Sequence, residues 1–118
     1  MPSSLRTVLV VEDDCLLLLN ARLLLENAGY RVLDAPNAET ALALLDANPD
    51  VTSMFTDIAM PGAMDGIALA AEVGRRRPGL PVFITSGTTS MADAAISPSA
   101  TFLPKPYTAA AMLRLLAA

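Results

Sequence analysis

Cysteine is nearly absent from the sequence, since Cys15 is the only one among 118 residues. A single cysteine cannot form an internal disulfide, and nothing near it supplies a set of zinc ligands. The disulfide-stabilised class of small secreted domains is therefore excluded. We expect a reduced, cytoplasmic setting in which Cys15 is a passive, packed thiol.

Long apolar runs and an excess of basic residues are also missing. No stretch approaches the roughly 18 consecutive apolar residues that a membrane span requires, and the N-terminus lacks the pattern of a secretory leader. Eight basic residues against 12 acidic ones give a formal net charge of -4, which argues against binding bare nucleic acid. We expect neither a membrane nor a nucleic acid among the partners.

The sequence does have a high apolar content, with 53% hydrophobic and only 17% charged residues. This composition is typical of globular chains and far from that of disordered ones. The length suits one ordinary domain, so we assign residues 1–118 to a single domain. Unless the sequence is part of a longer chain, any output must come from protein contacts.

Short apolar runs alternate with longer segments rich in leucine and alanine. The first run, 7–11, is β-branched and continuously apolar, as expected for a strand that is covered on both faces. The pattern predicts strands at 7–11, 30–35, 51–56, 80–85 and 100–103, and helices at 15–28, 38–48, 67–77, 91–96 and from 108 onward. Five such units require right-handed crossovers, and hence a parallel sheet with helices on both faces.

Polar side chains collect where the predicted strands end. They are Glu12, Asp13 and Asp14 after the first strand, Asp57 after the third, Ser86 after the fourth and Lys105 after the fifth. Ligands of open α/β sheets bind at this edge. Carboxylates gathered there repel one another unless a cation intervenes, and Mg²⁺ is the usual cation where phosphate is handled.

These residue types together indicate a phospho-acceptor site. A carboxylate such as Asp57, beside a metal ion, can attack phosphorus and form an acyl phosphate. The ammonium of Lys105 can hold a phosphoryl oxygen as a point charge, and the hydroxyl of Ser86 can donate a hydrogen bond to it.

Four short motifs in this order resemble those of the response-regulator receiver domains of bacterial two-component systems. The motifs are Val10-Val11-Glu12-Asp13-Asp14, Asp57 followed by Met60-Pro61-Gly62 and Asp65-Gly66, Thr85-Ser86-Gly87, and Lys105-Pro106-Tyr107. Each is weak alone, but together they span nearly the whole chain. The resemblance implies a flavodoxin-like, doubly wound sheet with strand order 2-1-3-4-5.

The resemblance also implies how the site works in a phosphorelay. Asp57 is phosphorylated by a sensor histidine kinase or a histidine phosphotransfer protein, and the change switches protein–protein contacts. Mg²⁺ is bound directly by Asp13 and Asp57, through a water molecule by Glu12, and by the backbone carbonyl of Ala59.

Three further residues take roles from the same resemblance. Lys105 binds the phosphate, Ser86 is the switch hydroxyl, and Phe102 is the aromatic residue whose rotamer reports phosphorylation. Lys105 follows Ser86 by only 19 positions (105 minus 86), so we expect the helix between them, near 91–96, to be short or irregular.

Several alternatives remain open at this point. The acids at 12–14 could be merely a capping cluster at a helix N-terminus. We do not expect an enzyme beyond intrinsic autophosphorylation and autodephosphorylation, but a phosphohydrolase with an aspartyl-phosphate intermediate is a rival. Such enzymes commonly need a second acid two positions after the nucleophile, where this chain has Ala59. A receiver-like module that no longer takes phosphate is the other rival.

The leucines of the first helix, at 16–19 and 23–25, point around most of its circumference, so some must be exposed. They are either scattered surface residues or a docking patch for a helical phosphodonor. The last helix is almost uniformly apolar, so it could pack against a partner or against a second copy of the chain in a homodimer.

Overall fold

A computed structural model describes residues 6–57, 64–86, 100–104 and 109–117. In this part of the chain, strands and helices alternate. The strands are β1 (Thr7–Val11), β2 (Arg31–Ala35), β3 (Val51–Asp57), β4 (Val82–Ser86) and β5 (Ala100–Pro104), and the helices are α1 (Cys15–Asn27), α2 (Ala38–Ala47), α3 (Gly66–Arg76) and α4 (Ala109–Ala117).

The five strands form one sheet in the order β2-β1-β3-β4-β5, and all four neighbouring pairs are parallel. Helices α2 and α3 pack on one face of the sheet, and α1 and α4 pack on the other. The predicted flavodoxin-like, doubly wound sheet with order 2-1-3-4-5 is therefore confirmed. This winding brings the carboxyl ends of β1 and β3 side by side at the centre of one edge.

The two faces have separate apolar cores, and β1 contributes to both. Val8 and Val10 belong to the core with α1 and α4, whereas Leu9 and Val11 belong to the core with α2 and α3. All four are at most 3% exposed. The continuous apolar run of β1 is thus explained, because alternate side chains of a strand point to opposite faces.

Most predicted boundaries lie within two residues of the observed ones. The largest shift is in β4, which begins at Val82 instead of residue 80. Pro81 has no N–H group for a strand ladder, although its carbonyl accepts a hydrogen bond from Met54 N at 3.0 Å. Gly29 ends α1 with a φ of 97°, a backbone conformation that glycine adopts readily. The helix predicted near 91–96, with its short or irregular form, lies outside the described residues.

Two leucines of α1 make a matched test of the packing. Leu25 is fully buried, whereas Leu23 is 50% exposed. We expect Leu25→Ala to lower the free energy of unfolding by about 2–5 kcal/mol, because it leaves a cavity in the core. Leu23→Ala changes the helix propensity equally, and we expect a loss of under about 0.5 kcal/mol. Urea denaturation followed by circular dichroism measures both, and equal losses would contradict the packing described here.

Candidate functional site

The carboxyl ends of the two central strands carry the acidic residues. Val11 of β1 is in register with Thr56 of β3, so Glu12 and Asp57 follow at matching positions of adjacent strands. The backbone N–H of Glu12 donates to the carbonyl of Ala35 at 3.0 Å, which extends the pairing with β2 one residue beyond β1. The hydrogen bonding of the sheet therefore fixes the positions of the backbone atoms from which the Glu12 and Asp57 side chains extend.

Three carboxylates meet at this edge. Oxygen atoms of Glu12, Asp13 and Asp57 all lie within 4.8 Å of one another. Glu12 is buried, with 8% exposure, Asp57 is half-buried, and Asp13 is exposed. The predicted approach of Asp13 to Asp57 is present, and one side of the cluster opens to solvent.

The donor set fits a hard divalent cation. All three groups offer carboxylate oxygens, the ligand type that Mg²⁺ prefers. Two ligands on opposite sides of one Mg²⁺ lie about 4 Å apart, so the observed cluster is only slightly wider than a closed coordination shell. Because Glu12 is the innermost of the three, it limits how deep such an ion can lie.

Asp14 differs from Glu12 and Asp13 because its side chain is the N-cap of α1. Its side chain caps α1 by accepting hydrogen bonds from Leu16 N at 2.9 Å and Leu17 N at 3.1 Å. Glu12 Oε2 in turn accepts from the backbone N–H of Asp14 at 3.2 Å. The capping interpretation of the acidic triplet therefore holds for Asp14, whereas Glu12 and Asp13 also face Asp57.

Two buried threonines, Thr56 and Thr85, lie beside Asp57, and the sequence predicts no role for either of them. Thr85 of β4 is in register with Asp57, and its Oγ1 donates to the carbonyl of Thr56 at 3.4 Å. The Oγ1 of Thr56 donates to the carbonyl of Asp57 at 3.0 Å. The only sequence signal for these residues was a hydroxyl directly after the apolar pairs Met54-Phe55 and Phe83-Ile84.

The remaining predicted site residues are placed only in part. Ser86 is the last residue of β4, and Phe102 lies in β5 in register with Ile84, but their side chains are outside the described part of the chain. Lys105 and Ala59 are not among the described residues at all. The roles of these four residues stay predictions.

Exposed leucines on α1 form a patch directly beside the acidic cluster. Leu16 is 73%, Leu17 43%, Leu19 51% and Leu23 50% exposed, and we call these four residues the leucine patch. The patch borders a shallow surface groove. Leu17 also lines the small cavity that contains Glu12 and Asp57, so the patch and the carboxylates form one continuous surface.

Arg22, which lies on α1 next to Leu23 of the leucine patch, is paired within the chain. Arg22 donates hydrogen bonds to Glu26 of α1 and to Asp34 of β2. These bonds, first that to Glu26 and then that to Asp34, raise the pKa of Arg22 above its usual value. The patch itself therefore offers apolar contact and carries no ionic group.

Cys15 is exposed as the first residue of α1. The prediction of a packed thiol was wrong, because Cys15 lies in the first turn of α1, where Cys15, Leu16 and Leu17 are all exposed.

In the part of the chain that the structure describes, no helix has the length and apolarity needed to cross a membrane.

Comparison with known proteins gives the family. The model of the response regulator receiver domain matches residues 8–117. The DNA-binding transcriptional regulator NtrC of Escherichia coli K12 is 38% identical over 105 residues, which are 85% of this chain and 22% of that protein. The sensor kinase CckA of Brucella abortus is 31% identical over 105 residues, 86% of this chain and 11% of the kinase.

A solved structure agrees with this result. The receiver protein of Sinorhizobium medicae WSM419 superimposes with a TM-score of 0.87 at 25% identity, covering 98% of this chain and 94% of that one. The chain spans about a fifth or less of the length of NtrC and CckA. Its match to the family nevertheless covers the acidic cluster and all five strands except the first residue of β1, and the chain belongs to the response-regulator receiver domain family of two-component systems.

Proposed function

We propose that this chain is a phospho-acceptor whose Asp57 takes a phosphoryl group from the phosphohistidine of a sensor kinase or histidine phosphotransfer protein. The observation that carries the proposal is the convergence of the Glu12, Asp13 and Asp57 oxygens within 4.8 Å at the ends of two central strands. Packing does not require like charges in this place, and their mutual repulsion costs stability. A site for a cation and a phosphate accounts for them.

The proposed cation is Mg²⁺, bound by Asp13 and Asp57 directly and by Glu12 through water, with the backbone carbonyl of Ala59 as a further ligand. When bound, Mg²⁺ offsets the negative charge that the carboxylates and the phosphoryl oxygens bring together. Lys105 supplies a second positive charge, and Ser86 a hydroxyl donor, for the transferred group.

Asp57 carries the covalent step. One of its carboxylate oxygens forms a bond to phosphorus while the bond from phosphorus to the donor's imidazole nitrogen breaks, and the electron pair leaves with the imidazole. The product is an acyl phosphate that water later hydrolyses. We propose that the chain is not a phosphohydrolase that turns over many substrate molecules. Such an enzyme needs a second acid two positions after the nucleophile, where this chain has Ala59.

The leucine patch is the proposed docking surface for the macromolecular phosphodonor. It borders the carboxylates through Leu17, so a donor helix resting on it brings a phosphohistidine near Asp57. Four residues are far fewer than the roughly 20–30 on each side of a stable interface, which suits transient contact better than a permanent homodimer. Both partners then meet in the cytoplasm, where sensor kinases present their phosphohistidines.

A small acyl-phosphate donor tests the chemistry without a partner. We expect the chain, incubated with acetyl phosphate and Mg²⁺, to gain the mass of one phosphoryl group in a form that is stable to acid and removed by hydroxylamine. Chelation of the Mg²⁺ should prevent the gain. Intact-mass spectrometry measures the label.

Two outcomes separate the rivals in the same assay. Release of many phosphates per chain from phosphomonoesters would identify a phosphohydrolase. A folded chain that takes no label at saturating Mg²⁺ would identify a module that works without phosphorylation.

A further inference from the structure

Buried hydroxyls interrupt the apolar pattern of β3 and β4 next to Asp57. Thr56 is 1% and Thr85 5% exposed, whereas Phe55, Phe83 and Ile84 beside them are apolar and equally buried. A buried hydroxyl costs free energy unless it is hydrogen-bonded. Both threonines meet this requirement by donating to backbone carbonyls close to Asp57.

The two bonds lie on either side of the Asp57 α-carbon. The hydroxyl of Thr85 reaches the carbonyl of Thr56, in the peptide that precedes Asp57, at 3.4 Å. The hydroxyl of Thr56 reaches the carbonyl of Asp57 itself at 3.0 Å. Side-chain hydrogen bonds therefore hold both the carbonyl that precedes the Asp57 α-carbon and the carbonyl that follows it.

Thr85 also forms part of the wall around the Asp57 side chain. Residues in register on adjacent parallel strands point to the same face, so Thr85 and Asp57 are lateral neighbours. Together with Glu12, Leu17 and Met112 they line a cavity of about 10 Å³. A space of this size holds about one water molecule, so Thr85 and Asp57 are close neighbours with little free volume between the residues that line it.

We propose that Thr85 is a positioning residue for Asp57. Its hydroxyl, bonded to the carbonyl of Thr56, fixes the peptide from which Asp57 extends, so that the carboxylate faces Glu12 and Asp13. The proposal rests on the proposed role of Asp57 as the acceptor, and it assigns to Thr85 a task separate from the phosphate contact expected of Ser86. Small displacements of a reacting group lower rates strongly, because the reaction depends on its orientation.

Thr85→Val removes the hydroxyl and keeps the branched shape. We expect the rate of labelling by acetyl phosphate and the affinity for Mg²⁺ each to fall about five- to tenfold, with no drop in the thermal midpoint. In the metal-free chain, the amide resonance of Asp57 in a ¹H–¹⁵N NMR spectrum should shift. Thr85→Ser keeps the hydroxyl and should restore the labelling rate, the Mg²⁺ affinity and the Asp57 resonance. Thr85→Ala has nearly the volume of Thr85→Ser but no hydroxyl, and it should restore none of them.

Thr52→Val makes the same chemical change at an exposed threonine of the sheet and is the control. Thr52 lies at the other end of β3, and its hydroxyl also donates to a backbone carbonyl, that of Thr7 at 3.1 Å. The control should change neither labelling nor Mg²⁺ affinity. Wild-type behaviour of Thr85→Val would overturn the proposal, and so would equal defects in Thr85→Ser and Thr85→Ala, since packing alone explains these.

The failure of the proposed function is distinguishable from these results. A wild-type chain that takes no label defeats the role of Asp57 as the acceptor. The Asp57 resonance of the metal-free Thr85→Val chain still decides whether the hydroxyl orders this peptide: a shift that Thr85→Ser reverses supports the positioning proposal, and an unchanged resonance overturns it.

Discussion

Asp57→Asn is expected to abolish phosphoryl labelling by acetyl phosphate, with a loss of more than about a thousandfold. The amide matches the carboxylate in size but lacks the anionic oxygen that attacks phosphorus. It also removes one of three like charges whose oxygens lie within 4.8 Å. We therefore expect the thermal midpoint without Mg²⁺ to stay level or to rise, because repulsion is relieved. Intact-mass spectrometry and a thermal melt measure the two effects.

Asp50→Asn makes the same chemical change at a distant place. Asp50 is exposed and forms a surface ion pair with Arg31 at 2.9 Å, a type of contact that contributes little to stability. This control should be labelled like the wild type. A full label on Asp57→Asn would place the acceptor elsewhere, and a marked loss of stability would show that Asp57 is a structural carboxylate.

The strand positions and the winding could be predicted because each element carries a local signal. The run of β1 is apolar on both faces, which predicts a buried strand, and the change to Glu12 predicts where that strand ends. The parallel order then brings β1 and β3 together, and Asp57 follows β3 by the same rule. Once this strand order is known, the segment 12–14 must lie near Asp57, although the order does not decide which of its acids faces Asp57.

The contacts between side chains could not be predicted in the same way. Asp13 and Asp14 are adjacent acids, yet Asp14 caps α1 and Asp13 faces Asp57, because the turn between β1 and α1 points their side chains apart. The partnership of Thr85 with Thr56 depends on the register of β3 against β4, which no residue of either strand specifies alone.

The exposed side of α1 was ambiguous for a related reason. Leucines surround most of the helix, so periodicity does not define one buried stripe. The packing of Ala21 and Leu25 against the sheet decides which side is buried, and Leu16, Leu19 and Leu23 are left in solvent. Because α1 begins directly after Glu12 and Asp13, the exposed leucines of its first turn lie next to the carboxylates, and Leu17 borders them.

Leu16→Lys is expected to lower phosphotransfer from a sensor kinase about 30-fold while leaving labelling by acetyl phosphate unchanged. Leu16 is 73% exposed, so the substitution costs the fold little. In the complex, however, the ammonium would lie against an apolar donor surface and lose its water. The kinase to use is the one that phosphorylates the wild-type chain fastest among those of its own organism, and the single-turnover rate is the measurement.

Ala43→Lys places the same charge on an exposed residue of α2, on the opposite face of the sheet. If the leucine patch is the docking surface, Ala43→Lys should accept the phosphoryl group from the kinase at the wild-type rate, because a charge on α2 does not contact the donor. Equal losses in both lysine variants would mean that long-range charge guides the donor and that the leucines of α1 do not bind it.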